Sequence, residues 1–67
     1  MFDLSIFTSS ESVKDSILKI IKSRGYYCHN SMTKYNGHLI FVPNLNANML
    51  NEMLSIADDN GADFTEF

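Results

Sequence analysis

Apolar residues change their period along this chain, and each change marks an element. Phe2, Leu4 and Ile6 alternate with Asp3, Ser5 and Phe7, the period of a strand with one apolar face. Thr8-Ser9-Ser10-Glu11 then matches a capping box, with Thr8 accepting from a free amide of the first turn and Glu11 reaching back. Val13, Ile17, Ile20 and Ile21 follow at helical spacing. Lys19, Lys22 and Arg24 gather in the last turns, where cations suit the negative end of the helix dipole, and Gly25 is placed to stop the helix.

The second half repeats the strand and helix periods. Tyr26 to about Tyr35 is rich in strand formers, and Asn36-Gly37 predicts a tight two-residue hairpin into His38–Val42, which Pro43 should end. Asn44 and Asn46 are both suited to cap a second helix, whose apolar positions are Met49, Leu50, Met53, Ile56 and Ala57. That helix should finish near Asn60-Gly61, and 62–67 should add a short strand with Phe64 packed inward. The order β-α-β-β-α-β, made of two right-handed crossovers joined by a hairpin, predicts a ferredoxin-like α+β fold over residues 1–67 as a single domain. Its four-stranded antiparallel sheet has strand order 4-1-3-2 and both helices on one face. The two most apolar strands, Phe2–Phe7 and His38–Val42, fall at the centre of that order.

With a two-residue turn, Tyr26, Cys28, Met32, Leu39 and Phe41 face the helices together with Phe2, Leu4 and Ile6. The open face then carries Phe7, Tyr27, Thr33, Tyr35, His38, Ile40 and Val42. That set is more apolar than a solvated sheet face should be, which points to self-association through Tyr27, Tyr35, Ile40 and Val42, with a small-ligand site at the dimer interface.

Charge adds a second candidate surface. The net charge is −3, unevenly spread. Residues 1–43 hold all five Lys and Arg against Asp3, Glu11 and Asp15, whereas 44–67 hold Glu52, Asp58, Asp59, Asp63 and Glu66 with no cation. Such a segment suits a basic protein surface and disfavours phosphates. The carboxylates at the second helix's end oppose its dipole, which favours a binding role for them.

The chain offers little for catalysis. Cys28 and His29 are neighbours in a strand and point to opposite faces, so they form no nucleophile–base pair. A two-residue turn would put His29 and His38 about 20 Å apart along the ladder, too far to share a metal. Asp58 and Asp59 lack a glycine-rich phosphate loop to complete a magnesium site, and no Ser-His-Asp set or HExxH motif is present. No enzyme activity, cofactor or metal is therefore expected. A domain this small buries only about 60% of its unfolded surface, leaving little space for an enclosed pocket. A single cysteine suits the reducing cytoplasm. No basic leader or apolar run of about 20 residues predicts export or a membrane span.

Several short motifs resemble known groups. Asn36-Gly37-His38-Leu39-Ile40-Phe41-Val42 faintly resembles the third strand of RNA-recognition motifs, without that family's basic residues, so no direct nucleic-acid binding is expected. Arg24-Gly25-Tyr26, Leu50, Met53-Leu54, Ala57-Asp58, Gly61, Asp63-Phe64 and Phe67 resemble the regulator of ribonuclease E activity B family over residues 19–67. Phe64-Thr65-Glu66-Phe67 stands where that family has Tyr-Asp-Gly-Trp. The resemblance implies a ferredoxin-like fold and an inhibitory, protein-binding role towards an RNA-degrading enzyme. Abundant Asn, Ile and Lys with scarce Arg also resemble small bacteriophage accessory proteins, many of which block a host enzyme. The expected function is a cytoplasmic regulator or inhibitor that meets a basic protein partner through Glu52, Asp58, Asp59, Asp63 and Glu66.

Overall fold

The computed structural model describes residues 1–66, and Phe67 lies outside the described residues. The elements are β1 (Phe2–Thr8), α1 (Glu11–Ser23), β2 (His29–Met32), β3 (His38–Leu45), α2 (Ala47–Asp59) and β4 (Asp63–Glu66). They form an antiparallel sheet of order β2-β3-β1-β4 with both helices on one face, the ferredoxin-like α+β arrangement. Leu4, Ile6, Ile40 and Val42 of the inner sheet face meet Ile17 and Ile21 of α1 and Leu50, Met53, Ile56 and Ala57 of α2.

Both helices stop by the same device. Gly25 and Gly61 adopt φ of 76° and 68°, a left-handed conformation that costs glycine nothing. Gly25 N–H donates to Lys22 C=O and Tyr26 N–H to Ile21 C=O; Gly61 and Ala62 repeat the pattern on Asp58 and Ala57. These are paired Schellman stops, and each turns the chain back towards the sheet. At the helix starts, Ser10 rather than Thr8 caps α1, its hydroxyl accepting from Val13 N–H, while Thr8 Oγ1 accepts from Ser10 N–H. With Ser10 at the cap, the third helical position is Val13, so Glu11 has no capping-box role. Asn46, the second of the two candidate residues, caps α2 by accepting from Met49 N–H.

The hairpin differs from the expected two-residue turn. Met32 pairs with His38, Asn36 N–H donates to Thr33 C=O, and Asn36 takes φ 61°. The turn closed from Thr33 to Asn36, with Asn36 left-handed and Thr33 N–H donating to Gly37 C=O, makes a longer loop than Asn-Gly alone. The pairing slides by three residues, an odd number, so β3 presents the opposite set of side chains to the helices. Ile40 and Val42 are therefore fully buried in the core, and Leu39 and Phe41 lie on the open face.

Three further expectations change for local reasons. β2 is shorter than Tyr26–Tyr35, because the Schellman turn occupies its start and the hairpin loop its end. Pro43 does not end β3. The strand continues through a bulge in which Asn44 has φ 60° and donates its N–H to Asp3 Oδ1, and Leu45 then pairs with Phe2. Phe64 lies opposite Ile6 on the inner side, yet β4 is an edge strand and leaves the residue 43% exposed.

Candidate partner-binding surface

Two rows of side chains cross the open face. One runs His29–Phe41–Ser5–Thr65 and the other Ser31–Leu39–Phe7–Asp63, each following the registers of β2, β3, β1 and β4. Leu39 and Phe41 are half-buried and Phe7 is exposed, so an apolar patch occupies the middle of a face that no element among the described residues covers. Ser5 is only 7% exposed although it points to this open side. Phe41 and Thr65 are its partners on the two flanking strands.

The rim is polar. Tyr27 stands beside β2, its hydroxyl 2.8 Å from His29 Nε2 and its ring edge-on to the imidazole. Tyr35 is exposed at the hairpin tip, with Lys34 Nζ 5.4 Å from its ring centroid. Asp3 and Asp63 supply negative charge, and no Lys or Arg lies in the two rows. Phe7, Thr8, Thr33, Tyr35, His38 and Asp63 line most of an open cleft of about 290 Å³ between the hairpin and the start of β4.

The four residues expected to mediate self-association divide two and two. Tyr27 and Tyr35 are exposed, whereas Ile40 and Val42 have no accessible surface and can touch no partner. Leu39, Phe41 and His29 take their place on the open face. The sequence does not mark them, because Leu39 to Val42 is an unbroken apolar run in which alternation cannot tell one face from the other. One signal was available: pairing Leu4 and Ile6 with β-branched Val42 and Ile40 gives an inner face of uniformly aliphatic side chains.

The acidic residues do not converge on one surface. Asp58 and Asp59 are exposed at the end of α2, and Asp63 follows at the start of β4, so these three share one end of the molecule. Glu66 is at the far end of β4, opposite Leu4. Glu52 forms an ion pair with Arg24 that ties the end of α1 to α2. The last turn of α2 carries no cation.

The histidines, the cysteine and the carboxylates do not assemble a reactive group. His29 and His38 lie three residues apart along the ladder, not six, and on opposite faces. Among the described residues no group of three or more His, Cys, Asp or Glu is arranged to hold a metal. Cys28 is half-buried against the core, and burial raises its thiol pKa above the ordinary value, with Lys22 pulling the other way. A thiol held protonated is a poor nucleophile. Among the described residues no helix is long and apolar enough to cross a membrane. No protein-family profile matches this chain, and no match is found among curated proteins.

Proposed function

We propose that this protein is a non-catalytic regulator or inhibitor that binds one protein partner in the cytoplasm. The docking surface is the open sheet face together with the acidic end formed by Asp58, Asp59 and Asp63. The observation that carries this reading is an uncovered apolar patch, Phe7, Leu39 and Phe41, set in side-chain rows that include the Asp63 carboxylate and no Lys or Arg, with Lys34 at the hairpin tip as the nearby cation. An apolar patch on a small domain marks an interaction surface. Its charge selects among partners, favouring a basic protein and disfavouring a phosphate backbone.

The nucleic-acid groove of a nuclease, polymerase or defence complex is a surface of that kind. The likeness of Arg24-Gly25-Tyr26 and the α2–β4 segment to an inhibitor family points the same way, as does the phage-like composition. Aromatic groups would anchor the contact, and the acidic end would steer the encounter.

The test compares wild type with Phe41→Ser and with Asp58→Lys/Asp59→Lys for capture of a partner from host lysate, alongside sedimentation of the isolated protein. A partner held by wild type, released by high salt and lost in Phe41→Ser supports the reading. Retention of the same partner by both variants overturns it. A dimer that dissociates in Phe41→Ser, with no second protein held, assigns the face to self-association instead.

A further inference from the structure

We propose that the cleft between the hairpin and β4 seats a single guanidinium, an arginine side chain of the protein partner. This rests on the reading of the open face as the partner-binding surface and names what one of its pockets recognises. Phe7 and Asp63 are directly opposite in the β1–β4 register. Side chains so paired sit with Cβ atoms roughly 5 Å apart, which sets a carboxylate beside an aromatic ring. Tyr35 and Thr33 of the hairpin line the same cleft.

The cleft has the size and charge for one planar cation. About 290 Å³ of open space takes a side chain and does not enclose a larger substrate. Asp63 is exposed and engages in no ion pair among the described residues. Lys34, the cation next to Tyr35 in sequence, lies over the Tyr35 ring. A guanidinium stacks on an aromatic face and donates two parallel hydrogen bonds to a carboxylate, which a compact ammonium cannot do. An anion is disfavoured, because Asp63 lies in the wall and Glu11 occupies the first turn of α1, just beyond Ser9.

Titrating the isotopically labelled full chain with the blocked tripeptide acetyl-Gly-Arg-Gly-amide tests this by NMR. Saturable shifts are expected at the amides of Phe7, Thr8, Gly37 and Asp63, with a millimolar dissociation constant. The Asp63→Asn variant should weaken binding roughly tenfold by removing the charge-assisted hydrogen bonds. Phe7→Leu, which keeps an apolar side chain and loses the ring, should weaken it about two- to fivefold. The matching lysine peptide should bind less tightly than the arginine one. An unperturbed spectrum, equal binding of the uncharged citrulline peptide, or an Asp63→Asn variant that binds as well as wild type overturns the proposal. Free arginine binding more tightly than the blocked peptide would overturn the protein source and assign the cleft to a small guanidine. The peptide titration needs no partner, so its failure leaves the capture experiment to judge the face independently.

Discussion

On the inner face of the sheet Leu4, Ile6, Ile40 and Val42 lose all contact with water, whereas on the outer face Phe7, Leu39 and Phe41 keep part of theirs. Both sets are apolar and belong to the same two central strands. The inner residues are aliphatic and meet the stripes of two helices; the outer ones include two phenylalanines and meet polar neighbours at the rim. Composition therefore does not separate the core face from the open face in this protein. What separates them is the layer above each: both helices pack on the inner face, and no element among the described residues covers the outer one.

The largest expected effect comes from exchanging the two roles. Ile40→Asp places a carboxylate in the core without a partner, at a cost of several kcal/mol, which approaches the whole stability of a small domain. Circular dichroism should show an unfolded chain for Ile40→Asp and a folded one for Phe41→Asp. A folded Ile40→Asp protein would break the assignment of the two faces. The milder pair sharpens it: in urea, Ile40→Ala should lose about 2–5 kcal/mol, and Leu39→Ala distinctly less, because less of its surface is buried.

Next in size are the helix stops that hold α1 and α2 over the inner face. A Cβ at Gly25 or Gly61 would meet nothing within 4 Å, so substitution acts through the backbone alone. Gly25→Ala and Gly61→Ala should each cost about 1 kcal/mol or more in chemical denaturation, from the positive φ. Equal stability of these variants and wild type would show that the Schellman geometry is not retained.

A smaller effect is expected from Glu52, which links the helices and takes no part in the outer face. Glu52→Gln should lower stability by less than about 1 kcal/mol, with the difference shrinking in salt, since both partners are well solvated. Partner capture should be unchanged, in contrast to Phe41→Ser.

The smallest effect concerns Cys28 at the margin of the core. Its thiol pKa is raised in the folded state by burial, so the unfolded chain forms thiolate at lower pH. The contribution to stability is therefore complete below the unfolded pKa and lost as pH rises through the folded one. Alkylation at slightly alkaline pH should run slower in the native protein than in urea. Lys22→Gln should slow it further, because the lysine charge favours thiolate.

Much of the architecture was legible from local pattern. The stripe Val13, Ile17, Ile20 and Ile21, the α2 stripe from Met49 to Ala57 and the terminating Gly25 and Gly61 all reappear in place. These are short-range signals, set by the 3.6-residue period and by the conformational freedom of glycine. The candidate surface was legible only in part. Tyr27 and Tyr35 could be read as exposed because they flank turns, but the acidic residues gave no sign that Glu52 would be engaged by Arg24. Residues twenty-eight positions apart meet only through helix packing.

By itself, then, the amino-acid order determined the element types, their sequence and the sheet order, because periodicity, caps and crossover handedness act over a few residues at a time. Tertiary structure decided which side of β3 is the core. Leu39-Ile40-Phe41-Val42 is apolar on both sides, so its orientation follows from register, and register follows from the length of the hairpin loop and the fit of Val42 and Ile40 against Leu4 and Ile6. A change of three residues in that pairing moves two side chains from the surface into the core and two others out of it. Which apolar side chains remain on the open face is settled by that long-range choice.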